Sequence, residues 1–197
     1  MIKRILVPFA LLVLAALAVT ACGGGGSSDE SKITESIETA ATTSDPSNCT
    51  ELQTQRFDEQ NASTEGKAAI KKCEEEAEGG ENEAESVTVS NISVEGETGT
   101  AEVEFEGGSL NSQTLEIAVA EEEGTWKVDQ IEGFVTYDGE ALAEAFERKF
   151  EKEPGELSEE QISCIAEGIA EASKAEAEEL FFSGTTEAVT ELAEYCS

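Results

Sequence analysis

The sequence predicts an α+β protein: N-terminal helices packed on a strongly curved antiparallel four-stranded sheet, followed by a disulfide-stapled C-terminal helical unit. Three observations lead there. Apolar residues recur at helical spacing up to Cys73, alternate along four short runs between Val87 and Ile131, and return to helical spacing after Gly139. Two of the four alternating runs slip by one residue, which a strand tolerates only if it bulges, so the sheet should bend. Four cysteines bracket the helical stretches on either side of the sheet.

Ile33, Ile37, Ala40 and Ala41 share one face of the first helix, with Ser31 placed to cap it and Gly23 to Ser31 read as a flexible tether. Asp45-Pro46 opens a second helix that carries Leu52 and Phe57 and ends near Asn61. Ser63 or Thr64 opens a third, with Ala69, Ile70 and Cys73 at helical spacing. From Glu74 to Glu85 the chain is nearly all acid, Gly and Ala, read as a linker or a frayed helix end. Val87 and Val89 alternate in one phase and Ile92 and Val94 in the other, which places a bulge near Ser90-Asn91. Ala101, Val103 and Phe105, then Leu115, Ile117 and Val119, keep phase in two further strands. Trp126 and Val128 point inward on the fourth, whose phase slips before Ile131. Turn-forming residues between the runs make this an antiparallel meander.

Glu140 to Glu153 reads as a helix with Leu142, Ala145, Phe146 and Phe150 on one stripe, stopped by Pro154-Gly155. A capping-box pair, Ser158 and Gln161, opens the next helix, with Ile162, Ile165 and Ile169 in a stripe. A break at Ser183-Gly184 precedes a last helix ending near Tyr195. The expected layout is therefore 1–21 a signal peptide, 22–32 a lipidated cysteine and tether, 33–153 the α+β domain, and 154–197 a C-terminal helical unit.

Composition excludes much. The formal charge is −32 with no histidine. An acidic surface repels phosphate backbones and anionic headgroups, so nucleic acid is not an expected partner. Without histidine there is no Ser-His-Asp or Cys-His nucleophile and no neutral-pH imidazole shuttle. The acidic runs Glu74 to Glu76, Glu81 to Glu85 and Glu121 to Glu123 lack the alternating Asp/Asn, Gly and closing Glu of a calcium loop, and no cysteine spacing suggests zinc. They read as solvated faces, with Lys67, Lys71 and Lys72 paired to neighbouring acids. No metal and no cofactor is expected. Cys49, Cys73, Cys164 and Cys196 allow three pairings; Cys49–Cys73 and Cys164–Cys196 are preferred because each closes a short loop around helical segments.

Lys3 and Arg4 precede an apolar run from Ile5 to Val19, too short for a bilayer span, and small residues follow. Val19-Thr20-Ala21-Cys22 resembles a bacterial lipobox, which implies cleavage before Cys22 and a lipid on its sulfur. The resemblance implies a domain held outside the cytoplasm on a bacterial membrane, with the membrane itself, through the lipid on Cys22, and an envelope protein as candidate partners. The mature chain would carry a formal charge of −34 once Lys3 and Arg4 are removed.

Helices first, then a bent meander around Gly124-Thr125-Trp126-Lys127-Val128-Asp129-Gln130-Ile131, resembles the nuclear transport factor 2-like superfamily over roughly Ile33 to Tyr137. That resemblance implies a cone: a curved sheet wrapped around helices with a pocket at the wide end. Catalytic members place an Asp, His or Tyr inside it. Here only Asp129, Tyr137 and Asp138 lie near that strand, and each has a structural reading, so a non-catalytic binding or interaction module is expected rather than an isomerase- or cyclase-like enzyme. Trp126 and Tyr137 are the candidate pocket residues, with a core role for Trp126 the simpler expectation. The competing expectation is a small-molecule binder or enzyme using the cone interior. An open pocket with converging polar groups would favour it; a filled apolar interior would not.

Overall fold

The fold comes from a computed structural model that describes residues 26–79, 83–152, 157–183 and 187–196. The signal segment with Cys22, together with Glu81, Pro154, Gly155 and Gly184, lies outside the described residues. Eight helices and four strands follow the order helices, sheet, helices among the described residues.

Helix α1 (Gly26–Thr42) lies across the sheet and buries Ile33 and Ile37, while Ala40 packs at the margin. It begins five residues before Ser31, so two thirds of the expected Gly23 to Ser31 tether is helical. The expected second helix is two. Helix α2 (Asn48–Glu51) ends at Leu52, and α3 (Gln55–Ala62) restarts after Thr54, whose side chain accepts a hydrogen bond from the Phe57 N–H. The interruption has a cause that helical periodicity does not carry. Residues 52–54 run alongside strand β4 (Thr125–Thr136), with the Val128 N–H donating to the Leu52 carbonyl and the Thr54 N–H donating to the Val128 carbonyl. Helix α4 (Lys67–Gly79) follows Gly66, and its exposed face carries the Lys71–Glu75 pair, with Lys72 and Glu76 3.9 Å apart.

Strands β1 (Ser86–Glu95), β2 (Thr98–Glu106), β3 (Thr114–Glu122) and β4 form one antiparallel meander in the order β1-β2-β3-β4. Register on β1 shifts between Ser90 and Ser93, with Asn91 left-handed at φ 50°. The bulge keeps Val87, Val89, Ile92 and Val94 all packed against the core despite their opposite phases. Strand β4 shifts register against β3 at three places, one of them between Val128 and Gln130, where the pattern slips before Ile131. Trp126, Val128, Ile131 and Phe134 consequently all reach the core.

The sheet nevertheless is not strongly curled, which corrects the expected strong curvature. A bulge re-aims a strand over a few residues; bends on only two of four strands do not add up to a wrapped sheet. Strand β4 is an edge, and its outward groups are covered. Besides the 52–54 segment, the Gln60 side chain both accepts from the Ile131 N–H (2.8 Å) and donates to the Ile131 carbonyl (2.9 Å). The Phe134 N–H donates to Glu178 (2.9 Å). Such cover removes the open edge that would otherwise invite pairing with another chain.

Helix α5 (Gly139–Lys152) starts at Asp138, whose carboxylate accepts from the Ala141 N–H, and buries Leu142, Ala143 and Ala145. Glu144 and Arg148 pair on its outer face at 3.6 Å. Fully buried Gln113 exchanges two hydrogen bonds with the backbone of Asp138, tying the β2–β3 turn to the start of α5. Helix α6 (Glu159–Glu171) opens with the expected Ser158/Gln161 capping box. A second capping box, Ser173/Glu176, opens α7 (Lys174–Phe182), and α8 (Glu187–Tyr195) follows.

Both preferred disulfides are present, Cys49–Cys73 and Cys164–Cys196. The C-terminal helices do not stand apart, however. Ile165, Ala166, Ile169 and Ala177 belong to the same apolar core as Val103, Leu115 and Trp126, and Phe182 packs on Phe134 with ring centroids 4.8 Å apart. The physical reason is size: short stripes of three isoleucines bury little by themselves and gain far more against the sheet and α5.

Candidate functional site

A cavity of about 560 Å³ opens between α1, α3, α4, α5 and the sheet. Ile37 of α1, Phe57 and Asp58 of α3, Ala77 of α4, Phe105 of β2 and Phe146 of α5 are among its lining residues. The sequence explains its apolar character. The inner stripes of α1 and α5 meet β-strand side chains there, and small residues on the facing stretches (Ala40, Ala41, Ala77, Ala145) leave the space between them unfilled.

Asp58 is the chemically distinctive residue of the wall. Thr54, Asp58 and Ala62 lie four residues apart, on one face of α3 and its cap, and all three are buried. The Asp58 side chain is 1 % exposed, and neither carboxylate oxygen has a hydrogen-bond partner. Burial pushes its pKa up to about 7 from an ordinary 3.8, the Glu74 and Glu59 charges add to the rise, and Lys127 opposes it. Lys127 is engaged elsewhere, donating to the Thr50 carbonyl at 2.8 Å and pairing with Glu122 at 3.0 Å. The Cys49–Cys73 bridge lines the same cavity, and a carboxylate oxygen of Asp58 and the two sulfurs all lie within 4.8 Å of one another. Two thiolates and a carboxylate could hold a metal ion, but here the sulfurs are bonded to each other and offer no thiolate.

The sequence-predicted site residues are placed elsewhere. Trp126 is a buried core residue, and Tyr137 packs at a tilt against Phe134 and donates its hydroxyl hydrogen bond to the Ile169 carbonyl at 2.8 Å. Neither is among the residues that line the cavity. Asp129 accepts from the Thr54 hydroxyl (2.8 Å) and pairs with Arg56 (2.9 Å), and Asp138 caps α5. All three acid–base candidates therefore have structural partners. Asp58 was missed because an acid beside Glu59 in a charge-rich helix reads as solvated; the only signal was its spacing of four from Thr54 and Ala62.

No helix among the described residues is long and apolar enough to cross a membrane. No family model, curated protein or solved structure matches this chain.

Proposed function

We propose that this protein is a lipid-anchored, extracytoplasmic module that binds a small, largely apolar ligand in the cavity lined by Phe57, Phe105 and Phe146. The observation that carries the reading is the cavity itself: space for a small molecule, apolar on most sides, with the buried polar side chains of Asn48 and Asp58 in its wall. A module that acted only through its surface would need no such space. We propose kinship with the nuclear transport factor 2-like superfamily on the helices-then-meander order alone, without the strongly curved sheet of its cones, and read the chain as a binder without isomerase- or cyclase-like activity.

The compartment follows from two features. The lipobox-like Val19 to Cys22 supplies the anchor, and two disulfides suit an oxidising environment. Cys22→Ala should yield an uncleaved precursor without acyl mass; a normally processed, acylated product from that variant would end the lipoprotein reading.

The ligand test uses Nile red, a neutral apolar dye. Saturable one-site binding is expected, weakened at least about tenfold by Ala41→Phe, which places a ring in the cavity. Absence of saturable binding, or binding indifferent to Ala41→Phe, would favour an envelope protein partner bound through the surface instead.

A further inference from the structure

We propose that Cys49–Cys73 is an exchangeable disulfide, opened by a dithiol that attacks Cys73, with Asp58 donating the proton that Cys49 needs on leaving. This goes beyond the ligand-binding reading and does not depend on it.

The arrangement separates the roles. Cys73 is half-buried and Cys49 only 2 % exposed, so an incoming thiolate meets the Cys73 sulfur first. Attack there forms a mixed disulfide with Cys73 and expels Cys49 as a thiolate at a buried position. A thiolate so placed is costly, and burial raises its proton affinity above that of an ordinary thiol. The nearest group able to protonate it is the Asp58 carboxyl, within 4.8 Å of both sulfurs and with neither oxygen committed to a hydrogen bond. Proton transfer leaves a Cys49 thiol and an Asp58 carboxylate. The second thiol of the dithiol then attacks its own sulfur in the mixed disulfide, expelling Cys73, which takes a proton from water. The sum is a two-electron reduction of Cys49–Cys73 and oxidation of the dithiol to its disulfide. In reverse, the Asp58 carboxylate accepts the Cys49 proton. Opening the bridge releases the four-residue α2 from α4 beside the cavity.

The charged groups acting on Asp58 are Glu59 on its own helix, Glu74 of α4 and Lys127 of β4. The two glutamates favour the protonated, donating form, and Asp58 holds its proton to about pH 7. Cys164–Cys196 is an internal control: both of its cysteines are half-buried, and no carboxylate among the described residues sits within the same distance of both sulfurs.

The intact protein is treated with dithiothreitol between about pH 6 and about pH 9, quenched by alkylation at intervals, and each disulfide is scored by peptide mass. Reagent thiolate affects both bridges equally, so it cancels in the ratio of their opening rates. That ratio is expected to favour Cys49–Cys73 at low pH and to fall at least about tenfold as the pH rises through about 7, as general-acid catalysis requires. Asp58→Asn should lower the ratio about tenfold at the acidic end and flatten its pH profile, leaving Cys164–Cys196 unchanged. A pH-independent ratio in the unmodified protein, or an Asp58→Asn ratio equal to it, overturns the proposal. If the variant does not fold, the profile of the unmodified protein decides alone.

Discussion

Stability against unfolding is expected to fall as the pH is raised from about 4 to about 7, with Asp58 responsible for much of the slope. In the folded protein its carboxyl keeps the proton to about pH 7, whereas the unfolded chain releases it near 3.8. Between those values the native state binds the extra proton, so raising the pH favours unfolding. The contribution is complete below the unfolded value and gone above the folded one. A shift of about three pKa units corresponds to roughly 4 kcal/mol, a large part of a small domain's stability. Asp58→Asn keeps the shape and removes the titration, so it should be more stable than the native sequence at pH about 8 and lose much of the slope. Urea unfolding of both proteins across this range measures the difference. Other carboxylates add a background slope common to both, so equal slopes in the two proteins would show that Asp58 is not held protonated.

Trp126→Ala is expected to cost about 3–5 kcal/mol. Its side chain is 1 % exposed and belongs to the core shared by the sheet and the helices, so truncation leaves a void that neighbouring elements cannot close. As the single tryptophan it reports on itself. Emission should be blue-shifted, resist acrylamide, and stay unchanged when octanol occupies the cavity, since the ring does not line it. A stable Trp126→Ala protein that had lost a saturable ligand response would mean that the ring serves a pocket instead of the core.

Elements with short-range causes were legible from the chain. Strand alternation located all four strands, and the opposed phases of Val89 and Ile92 located the β1 bulge, because a half-buried strand must keep its apolar residues on one side. Capping chemistry located the start of α6, since Ser158 and Gln161 satisfy each other's backbone over three residues. Loop length and helix placement were enough to prefer the two cysteine pairs that form.

What the chain order alone did not determine depends on neighbours far away in sequence. The break between α2 and α3 exists because residues 52–54 satisfy the β4 edge some 75 residues later. The C-terminal helices join the main core because α6 packs on α5 and α7 on β4, burying apolar surface that the short helices could not bury among themselves. Asp58 has an ordinary address, an acid on an acidic helix, and becomes unusual only where α3 packs against α4 and β4. There water is excluded, Glu74 comes near, Lys127 is drawn to Thr50 and Glu122, and the Cys49–Cys73 bridge closes over its carboxyl. Periodicity and capping are properties of a few consecutive residues, so sequence carries them. Desolvation and the space left between packed elements are properties of the whole assembly, so only the tertiary structure decided them.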